Sequence, residues 1–234
     1  MKDFLKRFAT NKGGVIGLVL LLLVVVIAVT APLLFPGNPW RMVQRPFLPP
    51  LENMAYPLGT DTLGRDVAAG LAHGARISLL VGLVSTLAAL LIGIPIGALA
   101  GYFGGWVDDV LMRVTEFFQT VPSFALAIVL VAIFEPSVVS ITLAIAIVSW
   151  PPVARLVRGE VLSLRKREYI EAAILQGLSN RSIILGQVLP NAVSPIIVMA
   201  SLMVASAILL ESSLSFLGLG FPPDFPTWGR LLFD

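Results

Sequence analysis

The chain has 234 residues, of which 57% are hydrophobic and 13% charged, and its formal net charge is +2. Soluble domains contain about 25% charged residues, and a soluble core cannot use so much apolar surface, so the composition predicts an all-α polytopic membrane protein. The basic residues lie in clusters, which is typical of membrane-topology signals and not of nucleic-acid binding. Without cysteine the chain has neither a disulfide framework nor thiolate chemistry.

The first predicted element is a transmembrane helix in the charge-free run of residues 13–40. Its apolar core, residues 15–34, is long enough to cross a bilayer at about 1.5 Å per residue. A cleaved signal peptide is the alternative, but its apolar region would be only about 7–15 residues long and would be followed by a small-x-small site. We predict that residues 1–35 form a cytoplasmic tail and a retained first span. The basic residues of this tail are Lys2, Lys6, Arg7 and Lys12.

Residues 36–75 are predicted to form an exterior loop, because this proline-rich and moderately polar stretch cannot span a membrane. Within it, Asp61, Arg65 and Asp66 are expected to make turn and cap hydrogen bonds, since Gly and Asp are common turn formers. His73 is the only histidine of the chain and has no cysteine or second histidine as a partner. We therefore predict no metal site.

Three further spans are predicted, at residues 77–107, about 117–134 and about 138–153. Glycines recur every four residues along the first of these: Gly93, Gly97, Gly101 and Gly105. This spacing places small side chains on one helix face and favours close packing against another helix. Pro95 lies where it can kink the same helix, which transport helices tolerate because neighbouring groups satisfy the freed carbonyl.

Charged residues flank the third and fourth spans. Those that mark a predicted interior connection before the third span are Asp108, Asp109, Arg113 and Glu116. Glu135-Pro136 is predicted to form an exterior turn. The densest basic cluster follows the fourth span, and the positive-inside rule makes it cytoplasmic, as four crossings from a cytoplasmic N-terminus also require. Its members are Arg155, Arg158, Arg165, Lys166, Arg167 and Arg181.

A polar segment, residues 165–190, has the pattern helix, break, helix. Residues 168–176 are good helix formers, and Gly177 is the residue expected just past a helix end, where a positive φ is favourable for glycine. Ser179 can cap a second helix, with Leu178 and Ile183 placed as a hydrophobic staple. Pro190 would disrupt that helix or begin the next one. A solvated basic loop between two spans is the alternative interpretation.

The fifth span is predicted between about residues 192 and 210, and Glu211 is the only acid beside it. One interpretation places Glu211 in a transport pathway, where it meets a cationic group or holds a gate. The other makes it an interfacial carboxylate that hydrogen-bonds the Ser212-Ser213 turn near water.

The polar segment resembles the EAA loop of permease subunits of binding-protein-dependent ABC importers. Its matching positions are Glu171-Ala172-Ala173, Gly177 and Leu189-Pro190, while Gln187 stands where the motif usually has isoleucine. The resemblance implies a cytoplasmic coupling helix within residues 155–190 that docks into a groove on an ATPase. Two alanines are also expected to leave a flat helix face for close approach of another protein, and the glycine permits a tight reversal.

Residues 58–66 (LGTDTLGRD), residues 74–79 (GARISL) and the tail at residues 211–229 are similar to the C-type subunit of the dipeptide, oligopeptide and nickel permeases. That resemblance implies a permease core over residues 76–234 and a sixth span beyond the five predicted here. It also implies a sister permease that completes the pathway, two ABC ATPases and an extracytoplasmic solute-binding protein, with no cofactor.

The motifs of other function classes are absent from the sequence. There is no Gly-x-x-x-x-Gly-Lys-[Ser/Thr] loop, so ATP hydrolysis is assigned to partner subunits, and no Ser/His/Asp or metal constellation of an intramembrane hydrolase occurs. An ion-coupled secondary transporter is the alternative, but it usually places charged groups at mid-membrane. We predict a non-enzymatic permease subunit of an ATP-driven importer of peptides or nickel-type solutes in the cytoplasmic (inner) membrane.

Overall fold

The computed structural model describes residues 8–134, 137–222 and 225–233. The chain divides into two compact units, one formed by residues 1–80 and 221–234 and the other by residues 81–220. Three basic residues of the predicted tail (Lys2, Lys6 and Arg7) and the predicted turn at Glu135-Pro136 lie outside the described residues. Over the described part, the regular structure is helical, as the composition predicts.

The helices are α1 (Lys12–Leu34), α2 (Val67–Phe103), α3 (Gly105–Thr120), α4 (Ser123–Ile133), α5 (Val138–Arg165), α6 (Glu168–Leu175), α7 (Asn180–Ile183), α8 (Leu189–Phe216) and α9 (Trp228–Phe233). A π-helical turn, Ile184–Val188, joins α7 to α8. By length and composition, α1, α2, α5 and the continuous stretch from α7 through α8 can each cross a membrane, and α3 with α4 makes a fifth crossing if this bent pair is one span.

The third predicted span, about residues 117–134, is interrupted in the structure, because it covers the last turn of α3 and the whole of α4. The axes of α3 and α4 are bent by 82° at the two residues between them, Val121 and Pro122. Proline has no backbone N–H, and its ring disfavours helical dihedrals in the preceding residue. Val121 accordingly has extended dihedrals, φ −89° and ψ 129°.

Three other helices have different ends from those predicted. Helix α2 begins at Val67, inside the predicted loop, because the Asp66 side chain accepts a hydrogen bond from the Ala68 N–H (2.9 Å). It ends at Phe103, since Gly104 takes a φ of +67° that a helix cannot continue. Helix α5 extends beyond the predicted fourth span to Arg165, and α8 extends beyond the predicted fifth span to Phe216.

In the first unit, side chains hold the loop before α2 through hydrogen bonds to the backbone. The Asp61 carboxylate accepts from the N–H groups of Leu63 (2.8 Å) and Arg65 (2.9 Å), and the Arg65 guanidinium stacks 4.5 Å from the centre of the Trp40 ring. The turn and cap bonds predicted for Asp61 and Asp66 are therefore confirmed. His73 Nε2 lies 3.1 Å from the carbonyl oxygen of Phe35.

In the second unit, α2 packs its glycines directly against the backbone of α5. An added Cβ would lie 2.8 Å from the Trp150 carbonyl oxygen at Gly93, and 2.3 Å from the Ala154 carbonyl oxygen at Gly97. At Gly101 it would lie 2.8 Å from the Arg158 carbonyl oxygen, so the predicted close packing is confirmed for three glycines. Gly105 lies outside this contact, because it begins α3.

The core of the second unit continues along α5 to its last turn. Buried side chains of α5, including Val153, Val157 and Val161, pack with Ile170 of α6 and with Ile183 of α7 in one apolar cluster. Because α6 follows α5 after only two residues, this cluster fixes α6 at the end of α5. The polar segment predicted from the sequence is therefore a folded part of the second unit.

Candidate functional site

Helix α6 is short and has one buried and one exposed face. Ile170 is fully buried and Ala173 is nearly so, whereas Glu171 and Ala172 are exposed and 88% of the Leu175 side chain is accessible. The chain reverses before α6 through a hydrogen bond from the Arg167 N–H to the Leu164 carbonyl (3.0 Å). The buried face thus anchors α6 to the core and leaves the opposite face available.

The two alanines of the predicted motif point in different directions. Successive residues of an α-helix are rotated by about 100°, so Ala172 and Ala173 do not share a face. Ala173 packs in the apolar cluster, and the expectation of a flat face formed by both alanines is wrong. The exposed side chains that do share a face, spaced i, i+3, i+4 and i+7, are Glu168, Glu171, Ala172 and Leu175. We call these four residues the outer face of α6.

Gly177 ends α6 in a left-handed conformation with a φ of +79°. The N–H of Leu178 donates to the Ala173 carbonyl (3.2 Å) and the N–H of Gly177 donates to the Ile174 carbonyl (3.0 Å). These two bonds form a Schellman motif, and the prediction that Gly177 lies just past the helix end with a positive φ is confirmed. Among the described residues, no atom lies within 4 Å of a Cβ added at Gly177, so the chain requires glycine there for its φ and not for close packing.

The second helix of the polar segment begins as predicted. Ser179 caps α7 by accepting a hydrogen bond from the Ser182 N–H (3.3 Å), and Ile183 is fully buried. Pro190 lies in the first turn of α8. In the π-helical turn before it, the Leu189 N–H donates a hydrogen bond to the carbonyl of Ile184, five residues earlier, instead of to the residue four positions earlier as in an α-helix. Pro190 therefore begins a helix, and Leu189 beside it packs against the apolar cluster.

Two contacts that were not predicted from the sequence hold this segment and the end of α5 to Tyr102 of α2. The Tyr102 hydroxyl donates to the Asn180 side-chain oxygen (3.0 Å), which joins the end of α2 to the start of α7. The Arg165 guanidinium lies 5.9 Å from the centre of the Tyr102 ring. The only sequence signal was an amphipathic aromatic residue at the end of an apolar run, and such a signal does not identify its partner.

A charged cleft of about 730 Å³ lies between α3 and α5. Asp108 of α3 accepts two hydrogen bonds from the Arg158 guanidinium, each 2.5 Å long, in a paired arrangement. The Arg155 guanidinium donates to the Gln119 side-chain oxygen (3.0 Å). The basic cluster predicts a cytoplasmic position for Arg155 and Arg158, and the structure also gives each of them a partner on α3.

Glu211 lies inside α8 and is fully buried. The Ser215 hydroxyl donates to its Oε1 atom (2.7 Å), and the Ser213 hydroxyl donates to the Leu209 carbonyl (2.8 Å). The Ser212-Ser213 turn of the second interpretation does not form, because the helix continues through these residues. Glu211 is 22 residues along α8 from Leu189, or about 33 Å at 1.5 Å per residue, so it is not part of the α6 site.

Comparison with known proteins identifies the family. Residues 93–233 match the family described as binding-protein-dependent transport system inner membrane component, and residues 1–50 match the N-terminal TM domain of oligopeptide transport permease C. The dipeptide transport system permease protein DppC of Alkalihalophilus pseudofirmus is 40% identical over 238 residues, which cover 100% of this chain and 76% of that protein. The oligopeptide transport system permease protein OppC of Escherichia coli is 40% identical over 237 residues, which cover 100% of this chain and 78% of that protein.

A third relative is the glutathione transport system permease protein GsiD of Pectobacterium atrosepticum, 38% identical over 231 residues, which cover 99% of this chain and 77% of that protein. The fold is similar to that of the MetNI methionine ABC transporter in an inward-facing conformation, with a TM-score of 0.58 at 18% identity over 65% of this chain and 76% of that chain. The resemblance to C-type permeases is confirmed, and this chain belongs to the family of binding-protein-dependent transport system inner membrane components.

Proposed function

We propose that this chain is a pathway-forming subunit of an ATP-driven importer that carries peptides across the inner membrane. The observation that carries the proposal is the outer face of α6, because an exposed face on a helix anchored in the core is suited to receive another protein. Its exposed Leu175 and Ala172 supply apolar contact, and Glu171 supplies charge. The relatives named above transport dipeptides, oligopeptides or glutathione, which favours peptides over nickel-type solutes.

In this proposal several chains carry out transport together, each with its own function. Two partner ATPases hydrolyse ATP, and one of them binds the outer face of α6, so that this face lies in the cytoplasm together with the N-terminus. A sister permease completes the pathway, and an extracytoplasmic binding protein delivers the peptide. The motif residues Glu171, Ala172, Ala173, Gly177, Leu189 and Pro190 act here as the coupling segment.

The contacts of α6 support a role in coupling. Ile170 and Ala173 rest on the last turns of α5, and Asn180 is bonded to Tyr102 of α2. Because α2 and α5 pack backbone against backbone at Gly97, a displacement of α6 acts on two candidate spans together. An isolated solvated loop would lack such connections.

The first prediction tests the coupling segment with Glu171→Lys and Gly177→Val. Charge reversal at a contact costs several kcal/mol, and a β-branched residue at a positive φ costs at least about 1 kcal/mol. We expect both variants to reach the membrane in normal amounts but to co-purify less ATPase and to transport less peptide. Ser163→Lys, which introduces the same lysine side chain at an exposed position of α5, is the control.

If both variants bind the ATPase and transport peptide like the control, α6 is not the coupling segment. A separate measurement addresses the secondary-transporter alternative. Vesicles that contain the two permeases without ATPases should take up no peptide under an imposed proton or sodium gradient, and gradient-driven uptake would overturn the proposed function.

A further inference from the structure

A groove of about 490 Å³ opens between α4, α5 and α8 in the second unit. Its volume lies within the roughly 300–1,000 Å³ that small-molecule sites occupy. The described residues that line it include no charged side chain. Serine and methionine side chains in the lining include Ser149, Met199, Met203, Ser206 and Ser213.

The serine hydroxyls of α8 present hydrogen-bond acceptors to this groove. Ser206 donates its proton to the Leu202 carbonyl (3.1 Å), and Ser213 donates to the Leu209 carbonyl (2.8 Å). A hydroxyl has one proton and two lone pairs, so each oxygen can still accept a hydrogen bond from an N–H group. The groove therefore suits a ligand with several N–H donors.

The methionines and the uncharged lining suit a ligand whose side chains vary. Met199 and Met203 are unbranched and flexible, so they can adapt to different shapes without a specific partner. An ionised group in the groove would select for the opposite charge, and the part of the chain that the structure describes places none there. The constant part of a peptide is its main-chain amide, which supplies the N–H donors that the serine oxygens can bind.

The charged cleft lies one helical turn further along α5. Ser149 and Pro152 line the groove, and Arg155, the next residue on the same face of α5, lines the cleft. The cleft contains both signs of charge in exposed side chains, with Asp109 and Glu116 opposite in sign to Arg113 and Arg155. A peptide at neutral pH carries an ammonium and a carboxylate terminus, and such a cleft can bind both.

We propose that this groove is the surface of the subunit that contacts the peptide during transport. Its serine oxygens bind main-chain amides, and the charged cleft further along α5 binds a charged terminus. The inference rests on the proposed peptide-import function and assigns it to particular side chains. The alternative is a dry interface with another helix, since small residues and hydroxyls also mark helix–helix contacts in membranes.

The absence of cysteine allows single-cysteine labelling in the otherwise unchanged chain. Ser149→Cys, Ser206→Cys and Ser213→Cys are compared with Ser201→Cys, an exposed serine on α8 that does not line the groove. The complete transporter in lipid vesicles is treated with a hydrophilic maleimide, with and without trialanine delivered by its binding protein. We expect the groove cysteines to be labelled, and trialanine to slow labelling at these three positions and not at Ser201→Cys.

Two outcomes of this experiment overturn the inference: groove cysteines that do not react, as in a dry interface, or labelling that trialanine leaves unchanged while transport continues. Ser206→Trp, which fills the groove, provides a second measurement against Ser201→Trp. Ser206→Trp should abolish uptake but retain the ATPase on co-purification, and normal uptake would overturn the inference. If the unmodified transporter imports no peptide at all, the proposed function itself fails.

Discussion

Leu175 contributes the largest apolar surface to the outer face of α6. The residue is 88% exposed, and one turn before it stands Glu171, whose charge lies in the first turn of the helix. Acidic side chains near a helix N-terminus interact favourably with the helix dipole, so Glu171 has a structural role besides any contact it makes. Leu175 has no comparable role, which makes it the sharper probe of the proposed interface.

We predict that Leu175→Ala weakens ATPase binding without affecting the stability of the permease. Burying a leucine side chain is worth about 1.5–3 kcal/mol, so the dissociation constant should rise by about one to two orders of magnitude. The measurement is ATPase binding to the purified permease pair. Leu202→Ala, 63% exposed on α8, is the matched control, and equal binding by the two variants would contradict a role for the outer face.

Helices α2 and α5 show how one element determines the position of another. The glycines at positions 93, 97 and 101 let the α2 backbone approach α5 to a distance that any side chain would prevent. Dispersion contacts and small interfacial residues favour helix association in membranes, where apolar burial contributes little between helices. Because α5 leads directly into α6, this packing also supports the polar segment.

We predict that Gly97→Ala destabilises the permease. The added Cβ would lie 2.3 Å from the Ala154 carbonyl oxygen and 2.8 Å from the Val157 Cβ, and overpacking of this kind costs about 1–3 kcal/mol. Gly159→Ala on α5 is the control, because no atom of the described residues lies within 4 Å of its added Cβ. The thermal unfolding temperature of the purified complex should fall for Gly97→Ala only. A fall of equal size in both variants would refute the packing argument.

At the level of the whole molecule, the proposal requires a definite orientation in the membrane. Basic residues cluster near the end of α5 and in the polar segment, and the positive-inside rule places such clusters in the cytoplasm. The loop before α2 should then face outward. Met54 is 81% exposed in that loop, and Ser163 is exposed near the end of α5.

We predict that Met54→Cys reacts with a membrane-impermeant maleimide in intact cells whose outer barrier is permeable, whereas Ser163→Cys reacts only after the inner membrane is opened. The native chain has no cysteine and serves as the unlabelled control. The reverse pattern of labelling would show that the orientation is the opposite one, with α6 on the side of the membrane away from the ATPase.

Local features of the polar segment could be predicted from the sequence. The Schellman end at Gly177 and the cap at Ser179 depend on residues within five positions of one another, so the residue types alone indicate them. The apolar composition likewise indicates a helical membrane protein, because every backbone polar group in a bilayer must be satisfied within the fold. Pro122 is also a local signal for the break between α3 and α4, and the prediction of one span over about residues 117–134 did not use it.

Contacts between distant residues depended on how the helices pack. Tyr102 and Asn180 are 78 residues apart, and Asp108 and Arg158 are 50 apart, so no local pattern pairs them. The direction of Ala173 followed from which face of α6 the end of α5 covers, and the position of Glu211 inside a helix followed from the extension of α8 to Phe216. The sequence therefore established the class of the protein and the local form of its polar segment. Helix packing established which side chains remain exposed to a partner, because exposure depends on all neighbouring helices together.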